Sequence, residues 1–128
     1  MSTYLDEQSM LLQHLSKREK LEYIIQLGED HTRLPREEQN EENLVPGCQS
    51  KAWLTVNKDN KTVRVDADSL IVRGYLHLLE KAVNTTETVE EAEDVLKIFV
   101  KETHLEETMT PTRSNALPTV LEQVKKKM

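Results

Sequence analysis

Cys48 is the only cysteine in 128 residues, and it lies in the stretch NLVPGCQSKAWL (43–54), between Gly47 and the polar pair Gln49 and Ser50. A thiol does chemistry when it is reachable and ionised, because the thiolate is the nucleophile and the metal ligand. Gly47 has no side chain to block an approaching reactant, and Pro46 limits backbone freedom just upstream. Gln49, Ser50 and nearby amides are donors suited to an anion. A free cysteine is equally at home as a small buried apolar group, so local chemistry leaves both readings open.

Several reactions are disfavoured by what surrounds the thiol. A single cysteine makes no internal disulfide and no two-cysteine redox pair. Cysteine hydrolysis requires a positioned histidine, and His14, His31, His77 and His104 are scattered with no hydrolase signature around Cys48. Zinc and iron-sulfur sites draw several thiolates or imidazoles at short spacing, and no CxxC or HxxxH arrangement occurs; no metal site is expected. Group transfer remains. A thiolate that attacks the terminal sulfur of a donor persulfide needs no second cysteine, and a neighbouring thiol would release the sulfur prematurely.

The elements that must position this segment follow from patterning. The chain is long enough for one domain over 1–128, burying roughly two thirds of its unfolded surface. With 17 Lys plus Arg against 23 Asp plus Glu, the net charge of −6 repels a phosphate backbone, which argues against nucleic acid. The basic run Lys125, Lys126 and Lys127 reads as cations opposing a helix dipole. There is no basic-then-apolar leader and no apolar run near the roughly 20 residues that span a bilayer. A soluble, cytoplasmic protein is expected.

Leu5, Met10, Leu11, Leu12 and Leu15 predict a short amphipathic helix. SKRE at Ser16 is a capping box that opens a second helix, with a stop predicted at Gly28. Residues 29–42 are acidic and aperiodic, as in a surface loop. Alternation in KAWLTV and TVRVDA predicts two antiparallel strands joined through NKDNK, with Cys48 just before the first. Asp68 or Ser69 caps the next helix, apolar around so much of its circumference that it is central; Gly74 within it permits close packing against the sheet or the cysteine loop. Thr88 and Glu91 form a second capping box. Thr110 and Pro111 suit the start of a last helix, in which Pro118 implies a kink or a delayed start. The fold class is α+β: a small antiparallel sheet packed against several helices.

EYIIQLG followed by LP, then NLVPGCQSKAWL, DADSLIVRGYL and TPTRSNAL occur in an order and at spacings that resemble the SufE family, including its CsdE-like members, over most of the chain. The resemblance implies a SufE/IscU-like fold. It implies that Cys48 accepts sulfane sulfur from a pyridoxal-phosphate-dependent cysteine desulfurase of the SufS or CsdA type and passes it to a downstream acceptor such as an iron-sulfur scaffold. The cofactor then belongs to the partner, and none is expected in this chain. Arg113 matches the arginine of the family's TPSRS-like block, with a role in stabilising the thiolate or engaging the desulfurase. Asp68 matches an acidic position suited to anchoring the cysteine loop or facing the partner; Gly47, Gln49 and Ser50 match the loop motif itself. Ala116 stands where the family usually has glycine, and with Pro118 this bears on the start of the last helix. An alternative function is a regulator that binds a desulfurase without sulfur passing through Cys48.

Overall fold

A computed structural model of the chain describes residues 3–48, 50–110 and 115–128. In order they form α1 (Thr3–Leu12), α2 (Lys17–Asp30), a 3-10 turn (Arg36–Glu38), β1 (Ala52–Asn57), β2 (Thr62–Ala67), α3 (Leu70–Thr85), α4 (Val89–Thr103), a second 3-10 turn (Leu105–Thr108) and α5 (Ala116–Lys127). The α+β expectation is met. Local signals account for most of the boundaries. The Ser16 hydroxyl accepts from the Glu19 amide at 3.2 Å while the Glu19 carboxylate accepts from the Ser16 amide at 2.9 Å, so the capping box opens α2. Thr88 caps α4 by accepting from the Glu91 amide, without the reciprocal bond. Pro118 falls in the first turn of α5, where a missing N–H leaves no helical bond unmade, so the start is delayed and the helix is not kinked.

β1 and β2 pair antiparallel in register from Ala52↔Ala67 to Asn57↔Thr62. Their inner face, Ala52, Leu54, Val63, Val65 and Ala67, is buried under Tyr75, Leu76 and Leu79 of α3, with α5 packing on β1. The far edge of β2 meets side chains. Asn84 accepts from the Val63 amide at 2.8 Å and donates to its carbonyl at 2.9 Å; Glu80 accepts from the Val65 amide at 2.9 Å, and His31 Nε2 donates to the Val65 carbonyl at 2.7 Å. Every edge group of those two residues is therefore satisfied.

Strand alternation suggests an open outer face, and at one end of the hairpin the structure differs. Trp53 and its register partner Asp66 are both buried, and the segment after α2 reaches across to Asp66. Asp66, at 0% exposure, accepts from Arg33 Nε at 2.8 Å on both oxygens, from the Leu34 amide at 3.0 Å and from its neighbour's Ala67 amide at 2.8 Å; Arg73 Nε lies 3.4 Å away. The acidic 29–42 stretch is thus a strap held down by a buried carboxylate.

Three further expectations are corrected. Gly28 does not stop α2, which runs on to Asp30. A Cβ at Gly28 would collide with the Leu70 carbonyl oxygen, and one at Gly74 with the Ile24 carbonyl oxygen, so the two glycines are where α2 and α3 cross backbone to backbone. Gly74 therefore serves that crossing and not the sheet or the cysteine loop. On α1, Leu5 and Leu12 are core but Met10 and Leu11 are 72% and 53% exposed, because the buried side of α1 faces α3 and α4.

His31 and His77, 46 residues apart, meet with Nδ1···Nδ1 at 2.8 Å. The Val65 carbonyl only accepts, so His31 Nε2 carries a proton and the Nδ1 contact holds one more between the two rings. Tyr4 of α1 stacks edge-on against His77 at 6.1 Å, with Lys81 5.7 Å above the Tyr4 ring. Burial, then the proximity of His31 and Lys81, pulls the His77 pKa down to about 4 against a weaker opposing pull from Asp30.

Two predictions follow from this packing. Gly74→Ala forces α2 and α3 apart against backbone atoms and should cost about 1–3 kcal/mol in urea unfolding; an unchanged midpoint would mean the crossing yields freely. His77 binds a proton less readily folded than unfolded, so its contribution to stability is complete above about pH 6.5 and declines as pH falls toward 4. Imidazole NMR should place the His77 titration near 4, and a midpoint near 6.5 would contradict the burial argument.

Candidate functional site

Cys48 sits on a short loop whose two ends are tied to one another. Leu44 forms a bridge with Trp53, the Val45 amide donates to the Ala52 carbonyl at 2.8 Å, and the Leu54 amide donates to the Asn43 carbonyl at 2.9 Å. Residues 43–45 therefore run antiparallel along the free side of β1, and only residues 46–51 lie beyond the tie. Both stem residues, Val45 and Ala52, are buried. On the other flank the Asp68 amide donates to the Lys51 carbonyl at 3.0 Å, one rung past the end of the β1–β2 ladder.

The tip is shaped by Pro46 and Gly47, which form a turn. Gly47 has φ +88°, in the left-handed region where a Cβ costs roughly 1–2 kcal/mol. Space is not the constraint, because a Cβ there would meet only the Thr119 methyl at 3.6 Å, an ordinary contact. That distance also sets the loop against the first turn of α5.

Cys48 is half-buried and packs against the hydrophobic core. Burial raises its pKa above the ordinary thiol value, since a thiolate loses hydration there. No described residue hydrogen-bonds to its sulfur. The resting site thus favours the protonated thiol, and exposure of the loop is what would favour the nucleophile. Gly47 is exposed and Ser50 half-buried in the same loop.

Of the other residues singled out from sequence, Asp68 is exposed, and its amide anchors the loop, while its carboxylate bonds to no described residue of the loop. Helix capping falls to Ser69, whose hydroxyl accepts from the Val72 amide at 3.4 Å. Gln49 and Arg113, together with Pro111, lie outside the described residues. Sequence reasoning missed Asp66, although an acidic residue on the same strand face as a tryptophan was a usable signal. It also missed the Asn43–Val45 stem and the histidine pair, for which no local signal exists. Among the described residues no three His, Cys, Asp or Glu side chains gather as a metal site, and no helix is long and apolar enough to cross a membrane.

A family model described as SufE: Fe-S metabolism associated domain matches residues 7–128. The chain belongs to the SufE family. A curated relative, the cysteine desulfuration protein SufE of Wigglesworthia glossinidia brevipalpis, is 29% identical over 111 residues, covering 84% of this chain and 77% of the relative. The SufE match takes in the cysteine loop, both of its stems and the Asp66 cluster, so the features that position the thiol all fall within the family domain.

For this SufE-family chain the burial of Cys48 gives a direct chemical expectation. The pH profile of its alkylation by iodoacetamide should have its midpoint above that of a small-molecule thiol, with a correspondingly slower rate at pH 7.5. A midpoint at or below the free-thiol value would show that the sulfur is not screened from water.

Proposed function

We propose that this chain accepts sulfur from a pyridoxal-phosphate-dependent cysteine desulfurase and activates that enzyme by removing its product. The observation that carries the reading is a single thiol, half-buried, on a loop pinned at both stems with the rest of the sheet fixed behind it. A thiol so placed is sheltered at rest and needs a displacement of only six residues, 46–51, to be presented. The family description, an Fe-S metabolism associated domain, and a relative named for cysteine desulfuration support the same direction.

In the proposed step, the Cys48 thiolate attacks the terminal sulfur of the partner's cysteine persulfide. A new S–S bond forms at Cys48, the partner's S–S bond breaks, and the partner's sulfur leaves as a thiolate; no external oxidant or reductant is consumed. A second exchange of the same type hands the sulfur to a thiol of a downstream acceptor, which we place in iron-sulfur cluster assembly. Within the loop, Gly47 supplies the turn, while Gln49 and Ser50 are assigned to loop shaping or partner binding. Arg113 is assigned to stabilising the exposed thiolate or engaging the desulfurase, and Asp68 to holding the loop flank. The pyridoxal phosphate resides in the partner. A reducing cytoplasm suits a lone free thiol.

One observation favours a second reading. The resting burial of Cys48 is also what an inert structural cysteine shows, and a regulator that binds the desulfurase without taking sulfur would leave it so. The two are separated by incubating the protein with cysteine and SufS-like or CsdA-like desulfurases and then measuring intact and peptide masses. One or more sulfur atoms added at Cys48, loss of desulfurase stimulation in Cys48→Ser, and faster hydrogen exchange in residues 46–51 than in their stems are expected. Stimulation that survives Cys48→Ser with no mass added to the wild type would establish the regulator instead.

A further inference from the structure

An apolar concavity close to this site does not contain the thiol. It lies between α4 and α5, beside the end of the second 3-10 turn, with a volume of about 290 Å3. Leu96 and Val100 of α4, Met109, and Leu117 and Leu121 of α5 form its floor. That volume is at the small end for a ligand pocket, and among the described residues no convergent polar groups line the floor to orient a small molecule. Its size and lining suit an anchoring apolar side chain from a protein partner, of the kind that concentrates binding energy at an interface.

The rim specifies the partner's charge. Among the described residues four charged side chains stand around the floor: Lys97, Lys101, Glu93, which accepts from Lys125 Nζ at 3.2 Å, and Glu106, an exposed carboxylate 3.8 Å from the exposed His104 Nδ1. Lys97 and Lys101, one helical turn apart and both exposed, have no ion-pair partner among the described residues. In a chain of net charge −6 they form a local cationic edge. The groove is also continuous with the thiol's surroundings. Pro118 lines it and, on its other side, lines a second concavity with Thr119 and with Pro46, two residues before Cys48.

We propose that this groove is the docking surface for the cysteine desulfurase, which seats an apolar side chain flanked by carboxylates between α4 and α5. The inference rests on the sulfur-acceptor reading. A partner so seated spans Pro118 to the 46–51 loop, so docking and presentation of Cys48 occur on one contiguous face. A second copy of the chain is the poorer occupant, because two bodies of charge −6 repel each other.

The test is the association of the full chain with purified SufS-like and CsdA-like desulfurases, measured by biolayer interferometry across a salt series, for the wild type and Lys97→Glu/Lys101→Gln. The variant should associate at least about tenfold more slowly at low salt with a flatter salt dependence. Its thermal midpoint and the alkylation rate of free Cys48 should stay unchanged. Wild-type association and salt dependence in a correctly folded variant would overturn the groove while leaving sulfur transfer intact. A wild-type chain that takes sulfur onto Cys48 but forms dimers abolished by the same substitutions would assign the groove to self-association and overturn it too. A wild-type chain that neither binds nor takes sulfur would remove the acceptor reading, and the groove's occupant with it.

Discussion

Asp66 is the point through which the rest of the site is held. A carboxylate removed from water costs several kcal/mol unless its oxygens are fully used, and here Arg33, two backbone amides and Arg73 supply that use. The compensation has a structural consequence. Arg33 and Leu34 belong to the strap, Ala67 to the end of β2 and Arg73 to α3, so one buried charge fixes three elements at the end of the hairpin from which the cysteine loop departs. Removing one side of such a cluster typically costs about 3–5 kcal/mol, which makes that end of the hairpin a rigid base.

The base and the tip of the cysteine loop are held differently. The Val45–Ala52 and Asn43–Leu54 bonds close the loop where its stems enter the core, and Cys48 itself is only half-buried. An excursion of the tip therefore exposes one sulfur and a few side chains without disturbing the inner sheet face. The raised thiol pKa has the same origin: burial disfavours the thiolate in the loop as it rests.

Short-range features of the fold were legible in the residues. The two strands follow from period-two alternation, β1 lying one residue beyond KAWLTV, and the starts of α2, α3 and α4 from Ser16, the Asp68–Ser69 pair and Thr88, because those signals act within four residues. What was not legible depends on partners distant in sequence. Gly28 resembles a helix stop by itself, and only the Leu70 carbonyl from another helix explains why it must be glycine in mid-helix. Met10 and Leu11 look like core until α3 and α4 select the opposite side of α1. At the site, the loop that carries Cys48 to the start of β1 was readable from NLVPGCQS. Asp66 carried one local signal, its place across from Trp53, but the partner that explains its burial, Arg33, lies 33 residues away from it.

The side chains along β2 also limit how other molecules can engage this protein. A sheet edge with free amides and carbonyls invites another chain to add a strand, the geometry behind β-augmentation and much fibril growth. Asn84, Glu80 and His31 occupy those groups at Val63 and Val65. Extension of the sheet from β2 would first have to strip three side chains from the edge. Recognition on that flank is accordingly left to surface shape and charge, and a two-stranded sheet that would otherwise be an aggregation template remains at two strands.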